Sequence, residues 1–110
     1  MDKKIALASF NALSQPTRLD VFRLLIKAGH EGMSAGAIGK KLNIRQNTMS
    51  THLSILAQTP LIYNQRDGRT IRYFADYKGI RDLMTFLMQD CCGDNEEICA
   101  PILETLTCNK

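Results

Sequence analysis

The dipeptide Asp67-Gly68 stands between two runs rich in β-branched and aromatic residues, LIYNQR and RTIRYFA. Asp-Gly supplies the positive φ angles of a type I′ hairpin turn, so residues 61 to 75 are predicted to form two antiparallel strands with Asp67-Gly68 at the tip. The chain before this hairpin reads as a string of short helices. The expected class is therefore mainly α with one β-hairpin.

Punctuation in the helical part is local and clear. Residues 5 to 13 alternate apolar and small residues in a helical pattern until SQPTR interrupts them. Pro16 suits the first position of a new helix, in which Leu19, Val21, Phe22, Leu24, Leu25 and Ile26 fill most faces; this helix is predicted to be central, with Gly29 closing it. Ser34 is the expected N-cap of a third helix, AGAIGKKL, whose Ile38 and Leu42 face inward. Asn43 then breaks the pattern where a left-handed residue lets the chain turn.

From 45 to 58 the sequence predicts a helix with divided faces. Met49, Leu53 and Leu56 fall at helical spacing with Ile55 beside them, while Gln46, Asn47, Ser50, Thr51 and Ser54 lie elsewhere. Hydrogen-bonding side chains without a carboxylate suit phosphates and base edges. Two short helices joined by a tight turn, the second polar outward, make a helix-turn-helix. An ordinary surface helix shows the same periodicity, and the hairpin is what separates the two readings. Arg66 and Arg69 flank its tip and Arg72 follows on the second strand. A basic hairpin directly after a helix-turn-helix is a wing, able to lie over the sugar-phosphate backbone and release counterions. The alternative is a surface hairpin with solubilising arginines.

Charge is distributed accordingly. The net charge of +3 over 110 residues hides a middle, residues 38 to 72, with six cations against Asp67, and an end in which Asp82, Asp90, Asp94, Glu96, Glu97 and Glu104 face only Lys110. A basic middle suggests a polyanionic partner, which the acidic end would repel; solvated surface charge is the other reading. The length fits one small domain, with no repeat, low-complexity segment or dividing linker. No stretch approaches the roughly 18 apolar residues of a membrane span, and a cytoplasmic location with no membrane partner is expected.

ALSQPTRLDVFRLL, MSAGAIGKKLNIRQNTMSTHLSIL and LIYNQRDGRTIRYFA together resemble the ArsR/SmtB family of dimeric winged-helix repressors. The resemblance covers residues 5 to about 90 in order, and PTRL, T-x-S-x-HL and a wing with DGR carry it. It implies that Gln46, Asn47, Ser50, Thr51 and His52 occupy a recognition helix and that Arg69 sits in the wing. Arg45 stands where the family often has serine or proline. Arg45, Gln46, Asn47, Ser50, Thr51, His52, Arg66, Arg69 and Arg72 are thus the candidate contacts to double-stranded operator DNA. The family's cysteine box of the ELCVCDL type is absent, and its long-helix zinc site is not matched, since residues 77 to 90 hold no histidine. His30 has no companion, and His52 is expected to contact DNA or pack its helix.

Residues 77 to 92 offer Ile80, Leu83, Met84, Leu87, Met88 and Cys91 as a stripe at i, i+3, i+4, i+7, i+8 and i+11. In so small a domain such a stripe needs cover, and a second copy is the natural one. A two-fold dimer is expected through Leu7, Phe10, Ile80, Leu83, Met84, Leu87 and Met88. Its two recognition helices would read a roughly palindromic site.

The stripe ends in DCCGDNEEIC, which places three of the four cysteines within residues 90 to 99. A winged-helix domain is expected over 1 to 90 and a cysteine-bearing inducer tail over 91 to 110. Cys91 alone could be a small core residue. With Cys92 and Cys99 it makes a compact set of soft sulfur ligands, which selects thiophilic centres such as As(III) or Sb(III). Members of the resembled family are similar here, sensing arsenite through a CC pair and a nearby cysteine. The surrounding acids and the expected negative helix end should disfavour thiolate formation and hence a cysteine nucleophile. Cys108 as a fourth sulfur would instead suit zinc or cadmium. The expected function is a homodimeric repressor, not an enzyme, released from DNA by As(III) through Cys91, Cys92 and Cys99. A cadmium, zinc or thiol-redox sensor on the same scaffold is the alternative. From another class, a small thiol enzyme such as an arsenate reductase lacks the phosphate-cradling loop.

Overall fold

The computed structural model of the protein describes residues 1–88. Five helices and three short strands follow one another as α1 (Lys3–Leu13), α2 (Pro16–Ala28), a 3-10 turn (Gly29–Glu31), β1 (Met33–Ser34), α3 (Ala35–Leu42), α4 (Gln46–Ala57), β2 (Ile62–Asp67), β3 (Thr70–Ala75) and α5 (Tyr77–Met88). The sheet is antiparallel in the order β1-β3-β2. Cys91, Cys92, Cys99 and Cys108, and with them the proposed tail 91 to 110, lie outside the described residues.

Helix starts follow local chemistry. Asp2 accepts the N–H of Ile5 at 2.8 Å and starts α1 two residues ahead of the periodic run. The Gln15 side chain accepts the N–H of Arg18 at 2.8 Å while Pro16 opens α2. Ser34 Oγ accepts the N–H of Ala37 at 3.1 Å, as its position predicted. Asp76 Oδ1 takes the N–H groups of Lys78 and Gly79 at 3.1 and 3.4 Å ahead of α5. Each satisfies donors that a helix start leaves without an intrahelical acceptor.

One core joins these elements. Val21, Leu25, Ile38, Met49, Leu53, Leu56 and Leu61 are at most 1% exposed and come from α2, α3, α4 and the start of the hairpin. The predicted all-round burial of α2 is corrected: Val21, Phe22 and Leu25 are buried, while Leu19 and Ile26 are 40% and 38% exposed. The helix is packed on one side only. Leu83 is likewise inside its own subunit at 3% exposure, and Ile80 packs against the same core. The two were expected at a dimer seam; α5 uses that part of its stripe to attach to the domain.

The hairpin forms where predicted but turns differently. Asp67 pairs with Thr70, so the two loop residues are Gly68 and Arg69. Gly68 has φ of 65° and Asp67 and Arg69 have no positive φ. Positive φ at the first central position alone is the type II′ pattern, not the type I′ turn centred on Asp67-Gly68. The strand β1 and the 3-10 turn were not anticipated. Two residues carry no alternation to detect, and β1 exists because Met33 and Ser34 pair with Tyr73 and Arg72.

Inside the helical layer, Arg18 Nε donates to the Ala12 carbonyl at 2.7 Å and ties the end of α1 to α2. His52, on α4, turns inward, and its Nδ1 is buried without a hydrogen-bond partner. Burial first, and then the Arg18 charge, hold its pKa below the ordinary value. Neutral imidazole is the form the fold accepts.

Two outcomes follow from this packing. A Cβ at Gly79 would meet the Pro60 carbonyl, backbone that cannot swing away, whereas one at Gly36 finds only Ser34 Oγ at 4.0 Å. Gly79→Ala is expected to lower unfolding free energy by about 1–3 kcal/mol despite better helix propensity, and Gly36→Ala to raise it by about 0.5 kcal/mol; urea titration of both variants checks the opposite signs. For His52, the unfolded chain takes up a proton more readily than the folded one. Stability should therefore fall as pH drops below about 6.5. Urea midpoints between pH 7.5 and 5.5 should decline less steeply in His52→Gln than in the wild type; parallel declines would contradict the assignment.

Candidate nucleic-acid interface

The outward face of α4 is polar and uncharged. Asn47, Ser50, Thr51 and Ser54, at i, i+3, i+4 and i+7, are all exposed, opposite the buried Met49, Leu53 and Leu56. Ser54, which the sequence places on the polar face but not among the candidate contacts, extends this stripe by one turn. Arg45 occupies the N-cap position in extended conformation, with no side-chain cap bond. No side chain at the N-cap closes this helix start, and the positive end of the helix dipole favours a nearby anion.

Gln46 and Asn47 are differently engaged. Gln46 Nε2 donates to the Ala35 carbonyl at 3.3 Å and lies over Gly39 of α3, so this amide braces the two helices. Asn47 Oδ1 accepts the N–H of Thr48 at 2.9 Å, and Thr51 Oγ1 donates to the Asn47 carbonyl at 3.3 Å. Asn47 and Thr51 each leave part of the side chain free for a partner. His52 is half-buried behind this face, which makes it a packing residue of the helix in this structure.

Cations surround the stripe. Lys40 and Lys41 are exposed in the last turn of α3, Arg45 at the start of α4, Arg66 on β2 and Arg69 in the hairpin loop. None of these five has a side-chain partner among the described residues. Between α3 and α4 a cleft of about 930 Å³ is lined by Gly36, Gly39, Lys40, Asn43, Arg45 and Gln46. A second, of about 460 Å³, separates the hairpin from the helices and brings Arg69 and Thr70 to the same hollow as Ser50 and Gly36. The wing and the recognition helix thus border one surface, on which Asp67 is the only acid of α3, α4 and the hairpin.

Arg72 does not join that set. Its Nε donates to the Glu31 carbonyl at 3.0 Å and its Nη2 to the Gly32 carbonyl at 3.1 Å. The guanidinium closes the 3-10 turn onto the sheet, a fold role that the sequence did not foresee beside the expected phosphate contact. Its cause lies in the register, because Arg72 is opposite Ser34 on β1, beside those carbonyls. Among the described residues no three His, Cys, Asp or Glu side chains gather as metal ligands. His30 stands edge-on to Tyr77 with ring centroids 6.4 Å apart. No helix among them is long and apolar enough to cross a membrane.

Known proteins share this arrangement. A family model described as a helix-turn-helix domain matches residues 13–62. The nodulation protein NolR of Rhizobium meliloti is 31% identical over 96 residues, covering 87% of this chain and 75% of NolR. The transcriptional repressor SdpR of Bacillus subtilis (strain 168) is 35% identical over 88 residues, covering 79% of this chain and 94% of SdpR. Among solved structures, an ArsR-like transcriptional regulator from Rhodococcus sp. RHA1 superposes with a TM-score of 0.71 at 23% identity over 96% of both chains. With this fold, these relatives and an acid-poor face between helix and wing, the chain belongs to the ArsR/SmtB family of winged helix-turn-helix transcriptional regulators and is not an enzyme.

Proposed function

We propose that the chain is a homodimeric repressor that holds operator DNA when free of inducer and releases it when As(III), or Sb(III) by the same chemistry, binds Cys91, Cys92 and Cys99. The observation that carries the DNA half is the acid-free stripe of α4 bordered by Lys40, Lys41, Arg45, Arg66 and Arg69. In this reading Asn47, Ser50 and Thr51 enter the major groove, while Gln46 fixes the helix that carries them. Arg66 and Arg69 lie on phosphates, where each neutralised charge releases counterions. Repression, as opposed to activation, is supported by SdpR, a relative described as a transcriptional repressor.

The dimer half rests on exposed apolar side chains. Leu7 and Phe10 on α1 are 60% and 38% exposed, and Met84 and Leu87 on the neighbouring α5 are 40% and 52% exposed. Apolar groups grouped on adjacent helices mark an interaction surface, and a second copy covers them in the closed, two-fold way that a palindromic operator requires.

The inducer half rests on donor chemistry alone. Three thiols follow α5 in sequence within residues 91 to 99, with no histidine among them. Sulfur-only donors favour soft centres. Arsenous acid, As(OH)3, exchanges three hydroxyls for three thiols, forming three As–S bonds and releasing three waters, so no prior thiolate is needed. Zinc or cadmium with Cys108 as fourth ligand is the competing inducer.

Two measurements test these halves separately. Operator binding, followed by fluorescence anisotropy, should weaken about five- to 150-fold on adding arsenite, and Cys91→Ser should abolish the response; release that survives the substitution, or that follows cadmium and not arsenite, would remove this site. Leu87→Glu should convert the dimer to monomer in sedimentation and lower operator affinity at least tenfold, with helix content unchanged. A variant that remains dimeric would displace the seam from α5.

A further inference from the structure

The outward face of α4 also restricts which base pairs the protein reads, a step that rests on the operator-binding reading above. Guanine is read in the major groove by Arg or Lys reaching O6 and N7, adenine by a carboxamide spanning N6 and N7, and thymine by apolar contact with its methyl group. From Gln46 to Ala57 the helix contains neither Arg nor Lys. Its two carboxamides stand at the helix start, the end from which recognition helices touch base edges, and one of them already bonds back to α3. Gln46 is held on the Ala35 carbonyl and over Gly39.

Asn47 is held differently. Its Oδ1 accepts the Thr48 N–H at 2.9 Å, which fixes the plane of the carboxamide while leaving both Nδ2 hydrogens and one Oδ1 lone pair unengaged. Those are the donor and acceptor that adenine N7 and N6 require. A side chain oriented in advance loses less entropy on binding. One turn along, the Thr51 hydroxyl donates back to the Asn47 carbonyl at 3.3 Å, so its methyl group is the part left for a base. Its complement is the thymine methyl.

We infer that Asn47 is the specificity-determining residue of the recognition helix, reading the adenine of one A·T pair in each half-site, with Thr51 against the methyl group of a neighbouring thymine. Arg45, at the N-cap and without a partner among the described residues, is the one side chain at this helix start that could read guanine instead.

The test selects sites from a randomised duplex pool with the full chain, then measures affinity for the selected site and for each single A·T to G·C exchange. The wild type should enrich an invariant A·T pair in each half-site, and its exchange for G·C should weaken binding roughly 10- to 100-fold. Asn47→Ala should reduce that discrimination to under threefold while the other positions keep theirs. Asn47→Asp keeps the acceptor for Thr48 and adds a negative charge of the kind favoured at a helix start, so it should fold normally and still lose the adenine preference. A merely structural role would weaken all sites alike and leave discrimination intact, which overturns the assignment. So would an invariant G·C pair whose preference disappears in Arg45→Ala. If no sequence is enriched and all duplexes bind equally, the operator-binding reading fails, and this inference with it.

Discussion

Between Leu42 and Gln46 the chain changes direction within three residues, and every group facing the proposed DNA surface depends on how it does so. Asn43 adopts φ of 56° and ψ of 52°, a left-handed conformation that its short polar side chain tolerates. The N–H of Ile44 then returns to the Gly39 carbonyl at 2.8 Å and closes the end of α3. Gly39 has no room for a side chain, since a Cβ there would meet the Gln46 side chain and, at 2.9 Å, the Ile44 carbonyl. The absence of one methyl group lets α4 start against α3. Without this corner Met49, Leu53 and Leu56 would not reach the core, and the polar stripe would not face outward.

The corner was legible before the fold, because its causes are local. Pro16, Ser34 and Asn43 each state a backbone requirement in one residue, and all three are met. What the sequence did not yield depends on how separate segments pair and pack. The hairpin tip shifted by one residue because cross-strand pairing of Asp67 with Thr70, not the dipeptide, selects the turn type. Arg72 looked like its neighbours Arg66 and Arg69 until β1, some forty residues earlier, placed the carbonyls of Glu31 and Gly32 within its reach. Periodicity also cannot say what covers an apolar stripe. Leu83 and Leu87 occupy it alike, yet one is 3% and the other 52% exposed. The cysteines were legible as donor chemistry only, as they lie outside the described residues.

The resulting molecule keeps its surfaces apart. The polar stripe, the two clefts and the free cations lie on α3, α4 and the hairpin, whereas the exposed apolar side chains Leu7, Phe10, Met84 and Leu87 belong to α1 and α5. Arg18 connects the two regions, bonding the end of α1 through Ala12 and placing its charge near His52 on α4. A change at the proposed seam therefore has a physical route to the proposed recognition helix. Coupling of this kind requires the two ends to favour different arrangements, and only differential binding supplies that preference.

The central claim is that α4 and the tip of the hairpin form one nucleic-acid surface. Amide resonances followed during titration with a short DNA duplex test it directly. The account predicts the largest shifts at residues 45 to 54 and 66 to 70, diminishing together as salt is added, with Leu19, Arg23, Ile26 and Lys27 on the outer side of α2 nearly unmoved. Shifts concentrated on α2, or shifts at the hairpin without the start of α4, would contradict it.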